Sequence, residues 1–454
     1  MEVEKESCEK VNRFYLWLSC FITIMNKLHT MVIMLFKKVK KIGEDDPRRI
    51  LHSFKVGLTL TLVCIFYYVT PLFDGFGSSA MWAVLTVAVV MEFTVGGTLC
   101  KGVNRTFATL LAGALGLGTH HIAILCGEKG EPILIGIFVF FFSSAATFSR
   151  FIPEVKKRYD YGVTIFILTF SLVAVSSYRV EDIIEFSHQR LSTIALGVAL
   201  CISISIFIFP VWAGGDLHHL TSTNLDKLAN FLHGMRDKYF GEDLVDRSYF
   251  QSYKSVLNSK ATEEVLVNLA KWEPGHSGFG FWHPWKQYLV IGASIRHCAC
   301  LMDSLATFIT TLDKSAPLIG SNPRPKPDSE ELYGKIRSAC ADMSSETAKA
   351  LSDLANDIKA RSAPATARLH VAAAEEAAER MKMALSNGAE GGIVHVATIG
   401  SLVGEITKSA KEIVGSVEEL AQLAGFKSHE AVNRTMVKPL ADGESQHTTI
   451  TVNE

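Results

Sequence analysis

Six apolar runs of roughly 20 residues, the length a helix needs to cross a bilayer, crowd into the stretch from Pro47 to Trp212. A water-soluble fold has little use for so many in a row, so they constrain the chain more than any other feature. They lie at about Pro47 to Thr70, Ala80 to Gly96, Gly97 to Leu125, Pro132 to Phe148, Tyr161 to Tyr178 and Leu191 to Trp212, and they pair into three hairpins. The first opens on GEDDPRRI, where Asp46 can cap and Pro47 fits the first turn because its missing N–H would be unpaired anyway.

The loops set the orientation, because short loops rich in Lys and Arg stay cytosolic. Lys37, Lys38, Lys40, Lys41, Arg48 and Arg49 precede the first run, Lys101 and Arg105 follow the second, and Arg150, Lys156, Lys157 and Arg158 follow the fourth. The opposite loops hold Asp74, then Glu128, Lys129 and Glu131, then Arg179, Glu181, Asp182 and Glu185, a balance that leans acidic. Both termini are therefore expected in the cytosol. An earlier segment, Phe14 to Phe36, is long enough to span but carries Asn26, Lys27 and His29 at its centre. A central Lys costs a few kcal/mol on insertion scales, so this segment reads as an interfacial helix or a reentrant elbow.

After FPVWAGGDL the chain turns polar. Thr223 to Phe240, Tyr253 to Lys271, Trp285 to Leu312, Ser329 to Ala360, Ala365 to Leu385 and Ile393 to Phe426 repeat apolar residues every three to four positions. The expected architecture is all-α: a variable segment 1–42, a six-helix transmembrane domain over 43–213, a cytosolic helical bundle over 214–426 and a disordered tail over 427–454. APLIGSNPRPKPDSE reads as a linker and SNGAEGG as a turn. The 454 residues suit two folding units, and the net charge of -1 offers no field for nucleic acid.

Chemical motifs are scarce. The nine cysteines are scattered, several within apolar runs, and imply no disulfide framework. The RHCAC pair has no second pair at zinc spacing. There is no G-x-x-x-x-G-K-[ST], His-Glu-x-x-His or Gly-x-Ser-x-Gly, so neither ATP-driven pumping nor catalysis has support, and no cofactor is expected. Asn104 and Asn433 head glycosylation sequons, the first in or beside the membrane and the second on the cytosolic side, so neither should be used.

The charges inside the apolar runs are the informative residues. If Lys101 to Gly118 is helical, Lys101, Arg105, Thr109, Ala112, Gly113 and Gly116 share one face, with Val103, Phe107, Leu110, Leu111 and Leu115 opposite. Such a face either packs on another helix or lines a watered path for anions. Periodicity alone leaves the second reading level with a simpler one, in which both cations snorkel to the headgroups. Arg190 opens the sixth run and is divided in the same way between pore and interfacial anchor. Glu92 needs a partner if buried, and Lys101 or Arg105 is the candidate.

DDPRRILHSFKVGLTLTLV, AMWAVLTVAVVMEFTVGGTLCKGVNR, FSRFIPEVKKRYDYGVTIFILTFSLVAVSSYR, QRLSTIALG, FPVWAGGDLH and WEPGHSGFGFWHPWKQYLVIGA closely resemble the plant aluminium-activated malate transporter family. The likeness covers about Asp45 to Leu312. It implies a passive anion channel that passes malate and chloride or nitrate, built as a homodimer with the pore between subunits. The family's pore arginines match Arg105 in KGVNR and Arg190 in QRLSTIALG, with Lys101 as a gathering charge at the mouth. Its extracellular aluminium-sensing acids match Asp74, Glu181 and Glu185, and its cytosolic signature includes Trp272, Glu273 and Pro274. FLHGMRDKYF resembles a stretch linked to modulation by GABA. A coupled secondary transporter of organic anions is the alternative. The plasma membrane is the expected site over the vacuolar membrane.

Overall fold

The computed structural model describes residues 2–69, 81–176, 183–240, 251–276, 279–280, 282–315, 327–386 and 394–427. Every named element among them is a helix, as expected, and the β pairings are two isolated bridges, His276 with Phe279 and Ser362 with Lys427. The chain divides into two compact units, Met1–Val211 and Trp212–Glu454. The 316–326 linker, most of the SNGAEGG turn and the tail from 428 lie outside the described residues.

The first unit contains α1 (Glu2–Asp45), α2 (Arg48–Tyr68), α3 (Met81–Val90), α4 (Val95–Ile124), α5 (Gly127–Ser149), α6 (Pro153–Arg158), α7 (Asp160–Ser176) and α8 (Ile183–Phe207). α1 is one unbroken helix, which removes the elbow reading for Phe14 to Phe36, and its apolar side chains from Phe21 to Ile42 are exposed. α2 starts where expected: Asp46 Oδ1 accepts the Arg48 N–H at 3.1 Å. The expected second run does not stay helical to Gly96. α3 stops at Val90, residues 91–94 are non-helical, and α4 begins at Val95.

That turn is written in threonines. Thr94 is extended and its hydroxyl accepts the Gly97 N–H at 3.1 Å, capping α4. Thr98 Oγ1 accepts the Glu92 N–H at 3.1 Å, and its own proton points between the Thr94 carbonyl at 3.2 Å and the Glu92 carbonyl at 3.3 Å, so backbone groups released by the break find partners in a side chain. Val95 N–H reaches the Val211 carbonyl at 2.9 Å.

Two apolar clusters hold the unit together. Val63, Ala83, Val87, Val90, Ile194 and Val198 join α2, α3 and α8; Ala112, Ala123, Ile135, Phe170 and Ala174 join α4, α5 and α7. α4 and α7 approach closely because Gly116 has no side chain: a Cβ there would lie 2.7 Å from Val173 Cγ1. The expected sixth run is also moved. α8 begins at Ile183 and ends at Phe207, so Arg190 lies two turns inside the helix and does not open it.

Four helices among the described residues are long and apolar enough to cross a membrane: Val95–Ile124, Lys129–Ser149, Ser187–Phe207 and Gln287–Leu312. Met81–Val90 and Asp160–Ser176 are apolar but shorter. With these helices the chain is a membrane protein.

The second unit contains α9 (Ala213–Phe240), α10 (Lys254–Leu257), α11 (Lys260–Ala270), α12 (Gln287–Ser315), α13 (Pro327–Ala360), α14 (Ala365–Ser386) and α15 (Val394–Ala424). α9 starts ten residues earlier than the apolar spacing indicated, and the stretch from Tyr253 to Lys271 breaks at Asn258. Residues at every third or fourth position converge on one core, among them Leu225, Leu232, Tyr288, Ile295, Met302, Ile336, Leu351, Val403, Ile413 and Leu420. α12 satisfies a membrane-length criterion, yet Tyr288, Ile291, Ile295, Cys298, Met302, Leu305 and Ile309 are all spent in this core.

Candidate functional site

α4 places its small and polar face inward. Arg105, Thr109, Ala112 and Gly116 are buried, while Phe107, Leu110 and Leu111 on the other side are exposed. Arg105, 6 % exposed, donates from Nη1 to the Tyr161 hydroxyl on α7 at 3.3 Å. Arg190 on α8, 2 % exposed, lays its guanidinium over the Trp82 ring of α3, 3.7 Å from the centroid. The Arg105 charge is close enough to act on Arg190. Two cations from two helices are thus buried in this unit, where a cation over an aromatic face recovers about 0.5–2 kcal/mol of the lost hydration.

What these side chains do not bind is equally specific. Arg105 Nε, Arg190 Nε and Nη1, Thr109 Oγ1 and Ser187 Oγ are buried and have no hydrogen-bond partner among the described residues. Buried polar groups are normally paired. Arg190, Thr109 and Ser187 also line one cavity of about 300 Å³ with Thr169, Gly113 and His188, between α4, α7 and α8. A cation with surplus donors and two hydroxyls in a cavity is a set of groups suited to a carboxylate or another anion.

Lys101 lies one turn before Arg105, in the second turn of α4. It pairs with Glu92 across the Thr94 turn, and its ammonium stands 5.6 Å from the centre of the Tyr161 ring. Glu92 is therefore held by Lys101 and not by Arg105. Tyr161 joins the two cations, since its ring faces one and its hydroxyl the other. Glu185 is exposed in the first turn of α8 and accepts from Gln189 at 3.0 Å; Asp74 and Glu181 lie outside the described residues.

Sequence reasoning missed Lys55. It is 1 % exposed on α2, and its ammonium donates to the Phe209 carbonyl at 3.3 Å. Phe209 has φ +45, an unfavourable conformation for a bulky residue, directly before Pro210. The lysine neutralises the carbonyl end of the chain just past α8. The signal was present, an ionisable residue inside an apolar run, but the run's average hydropathy absorbs a single cation. Trp82 and Tyr161 were also missed, because nothing local ties an aromatic residue to an arginine on another helix.

In the second unit Glu273 and Pro274 form a structural clamp, with Trp272 half-buried beside them in the chain. Glu273 Oε1 accepts the Ala213 N–H at 2.6 Å and Oε2 the Gly214 N–H at 2.9 Å, so a carboxylate from a distant loop caps α9. His276, bonded from its ring to the Pro274 carbonyl at 2.8 Å, stacks on Trp212 at 3.8 Å between centroids. The Trp285 ring occupies the space a side chain at Gly214 would need. Behind it His218 Nδ1 lies 2.8 Å and His283 Nε2 3.3 Å from the Tyr288 hydroxyl. Burial, and then the Arg361 charge on His218 and the His218 charge on His283, pulls both imidazoles down to about 4. The described residues bring no three His, Cys, Asp or Glu together in a metal-binding group.

Known proteins resemble the chain across both units. The profile of the family described as "Aluminium activated malate transporter" matches residues 40–390. Aluminum-activated malate transporter 1 of Triticum aestivum is 49% identical over 416 residues, covering 90% of this chain and 89% of the relative. Aluminum-activated malate transporter 2 of Arabidopsis thaliana is 43% identical over 414 residues, covering 88% and 80%, and transporter 7 of the same plant is 41% identical over 433 residues, covering 87% and 83%. Matched by that profile over most of its length and by these relatives at 41–49% identity, the chain belongs to the aluminium-activated malate transporter family.

Proposed function

We infer that the protein conducts malate, with chloride or nitrate, passively across a membrane through a pore formed by a homodimer. The observation that carries this reading is that Arg105 and Arg190 are both buried while Arg105 Nε and Arg190 Nε and Nη1 have no hydrogen-bond partner among the described residues. A structural arginine at such depth is expected to be spent on a carboxylate or carbonyls, because an uncompensated buried charge is strongly destabilising. An anion passing through supplies the missing partner. One unit charge pair at 4 Å contributes about 4 kcal/mol at an effective dielectric of 20, enough to draw a dicarboxylate out of water, and a twofold assembly doubles each cation.

In this reading α2, α3, α4, α5, α7 and α8 are the six spans, with the loops around Lys101 and α6, both termini and the second unit in the cytosol. α4 enters from the cytosol and α8 from the opposite side, so Arg105 and Arg190 approach the same depth from the two faces. Lys101, paired to Glu92 and about a third exposed, stands at the cytosolic mouth. The coupled-transporter alternative needs a free carboxylate in the membrane for a driving proton. Glu92, the carboxylate next to α4, is held by Lys101.

Voltage clamp of cells expressing the protein tests this. The current is expected to reverse at the malate equilibrium potential whatever the proton gradient, and to shrink in Arg105→Ala and Arg190→Ala at equal surface abundance. A reversal potential that follows the proton gradient would falsify the passive mechanism.

A further inference from the structure

We propose that the groove between α4, α5 and α7 binds one anionic phospholipid, its acyl chain in the groove and its headgroup on α6. The cavity measures about 310 Å³ and is walled by Phe107, Ala108 and Leu111 of α4, Ala146 of α5 and Val163 and Phe166 of α7. It shares no lining residue with the Arg190 cavity, which is walled by other residues of α4 and α7. Its walls suit hydrocarbon and not a hydrated anion. Polar groups occur together, from Asn104, Ser149 and Tyr159.

Ser149 and Tyr159 bracket the connection that carries α6. The connection is closed at its base by Arg150, which donates to both carboxylate oxygens of Asp160 at 2.7 and 3.1 Å, and it is pinned to the groove where the Asn104 amide donates to the Arg158 carbonyl at 3.1 Å. Between these ties α6 exposes Lys156, Lys157 and Arg158 against one acid, Glu154. A rigidly held, net positive turn beside an apolar groove is complementary to a molecule with an anionic head and an apolar tail. The exposed rims of Phe107 and Leu111 leave the groove open to the surrounding phase. The leaflet from which the lipid comes rests on the orientation proposed above; the contact itself does not.

Native mass spectrometry of the full-length protein in mixed micelles of detergent with phosphatidylserine or phosphatidylcholine tests the site. These micelles have no sides, so a failure there falls on the site and not on the orientation. Wild type is expected to retain phosphatidylserine over phosphatidylcholine. The surface variant Lys156→Gln/Lys157→Gln/Arg158→Gln should lose that preference by at least about tenfold, given roughly 1 kcal/mol per cation near an anionic surface. Ala146→Leu, which fills the groove, should lose retention of the same lipid with the dimer intact. Unchanged retention in the charge variant, or in Ala146→Leu, overturns the proposal. Loss of the dimer in Ala146→Leu overturns it in favour of a subunit contact.

Discussion

Replacing Arg190 by Met separates a transport charge from a structural one, because the two roles predict opposite signs. In the structure Arg190 is 2 % exposed and recovers interaction mainly from the Trp82 face at 3.7 Å. Stacking returns about 0.5–2 kcal/mol, less than the several kcal/mol lost by dehydrating the ion. Met fills similar volume without charge, so the fold should gain roughly 1–4 kcal/mol, the range seen when buried ions give way to packed apolar groups. Malate should lose about 4 kcal/mol of attraction if a carboxylate passes at 4 Å and about 2 kcal/mol at 8 Å. That places the rise in half-saturating malate between roughly 30-fold and 1000-fold. The assays are the thermal unfolding midpoint of purified protein and the malate dependence of current in clamped cells. A lowered midpoint with unchanged half-saturation would refute the argument and make Arg190 an anchor. Arg190→Lys adds a check: it keeps the charge but loses the planar stack on Trp82, so current should fall less than in the Met variant.

Three other outcomes follow from the geometry. Glu273→Ala removes the acceptor of the Ala213 and Gly214 N–H groups and should lower stability by about 1–3 kcal/mol, with Glu273→Gln costing less because one acceptor remains; denaturant unfolding measures both. Thr98→Val keeps shape but leaves the Glu92 backbone unpaired, a loss of about 1–3 kcal/mol that should appear as a lower thermal midpoint and reduced surface abundance. His218 and His283 are held down to about 4 from an ordinary 6.5, so the unfolded chain takes up protons first as pH falls: their contribution is whole above 6.5, is lost progressively down to about 4, and is worth at most about 3 kcal/mol each. Stability measured against pH should therefore slope downward through that window, and His218→Phe should flatten the slope.

Apolar helices could be located from composition because hydropathy needs only a count of apolar residues, and three of the six expected runs match helices long and apolar enough to cross a membrane. Their ends could not. α3 stops at Val90 because Thr94 and Thr98 satisfy the backbone of a turn, a matter of side-chain bonds that a hydropathy window averages away. α8 begins at Ile183 although IIEFSHQR reads as a polar approach, since its polar residues lie on a helix that lines a cavity. The stripe on α4 was legible because a helix repeats every 3.6 residues, and the Glu92 to Lys101 pair because opposite charges stand near each other in the chain. The partners of the arginines were not. Tyr161 and Trp82 come from other helices, and no periodicity within α4 or α8 selects them.

A chain that buries two guanidiniums and leaves Arg105 Nε and Arg190 Nε and Nη1 without partners among the described residues must recover stability elsewhere, and the structure indicates where. α4 closes on α7 through Gly116 at a distance no larger residue would allow, with Phe170 and Ala174 fully buried behind it. α8 is fastened to α2 and α3 by Val63, Ala83, Val87, Ile194 and Val198. Past its end the chain is held by Lys55 on the Phe209 carbonyl, and that lysine carries its charge on a backbone acceptor of its own. Arg105 and Arg190 are thus carried on helices whose other faces are tightly packed, so neither can withdraw to a partner without breaking a core. If an anion is their intended partner, that rigidity is what keeps the site from neutralising itself. Loosening the frame with Gly116→Leu should then depress current even though the substitution touches neither arginine, and a normal malate current from correctly folded Gly116→Leu protein would show that the frame does not hold the cations in place.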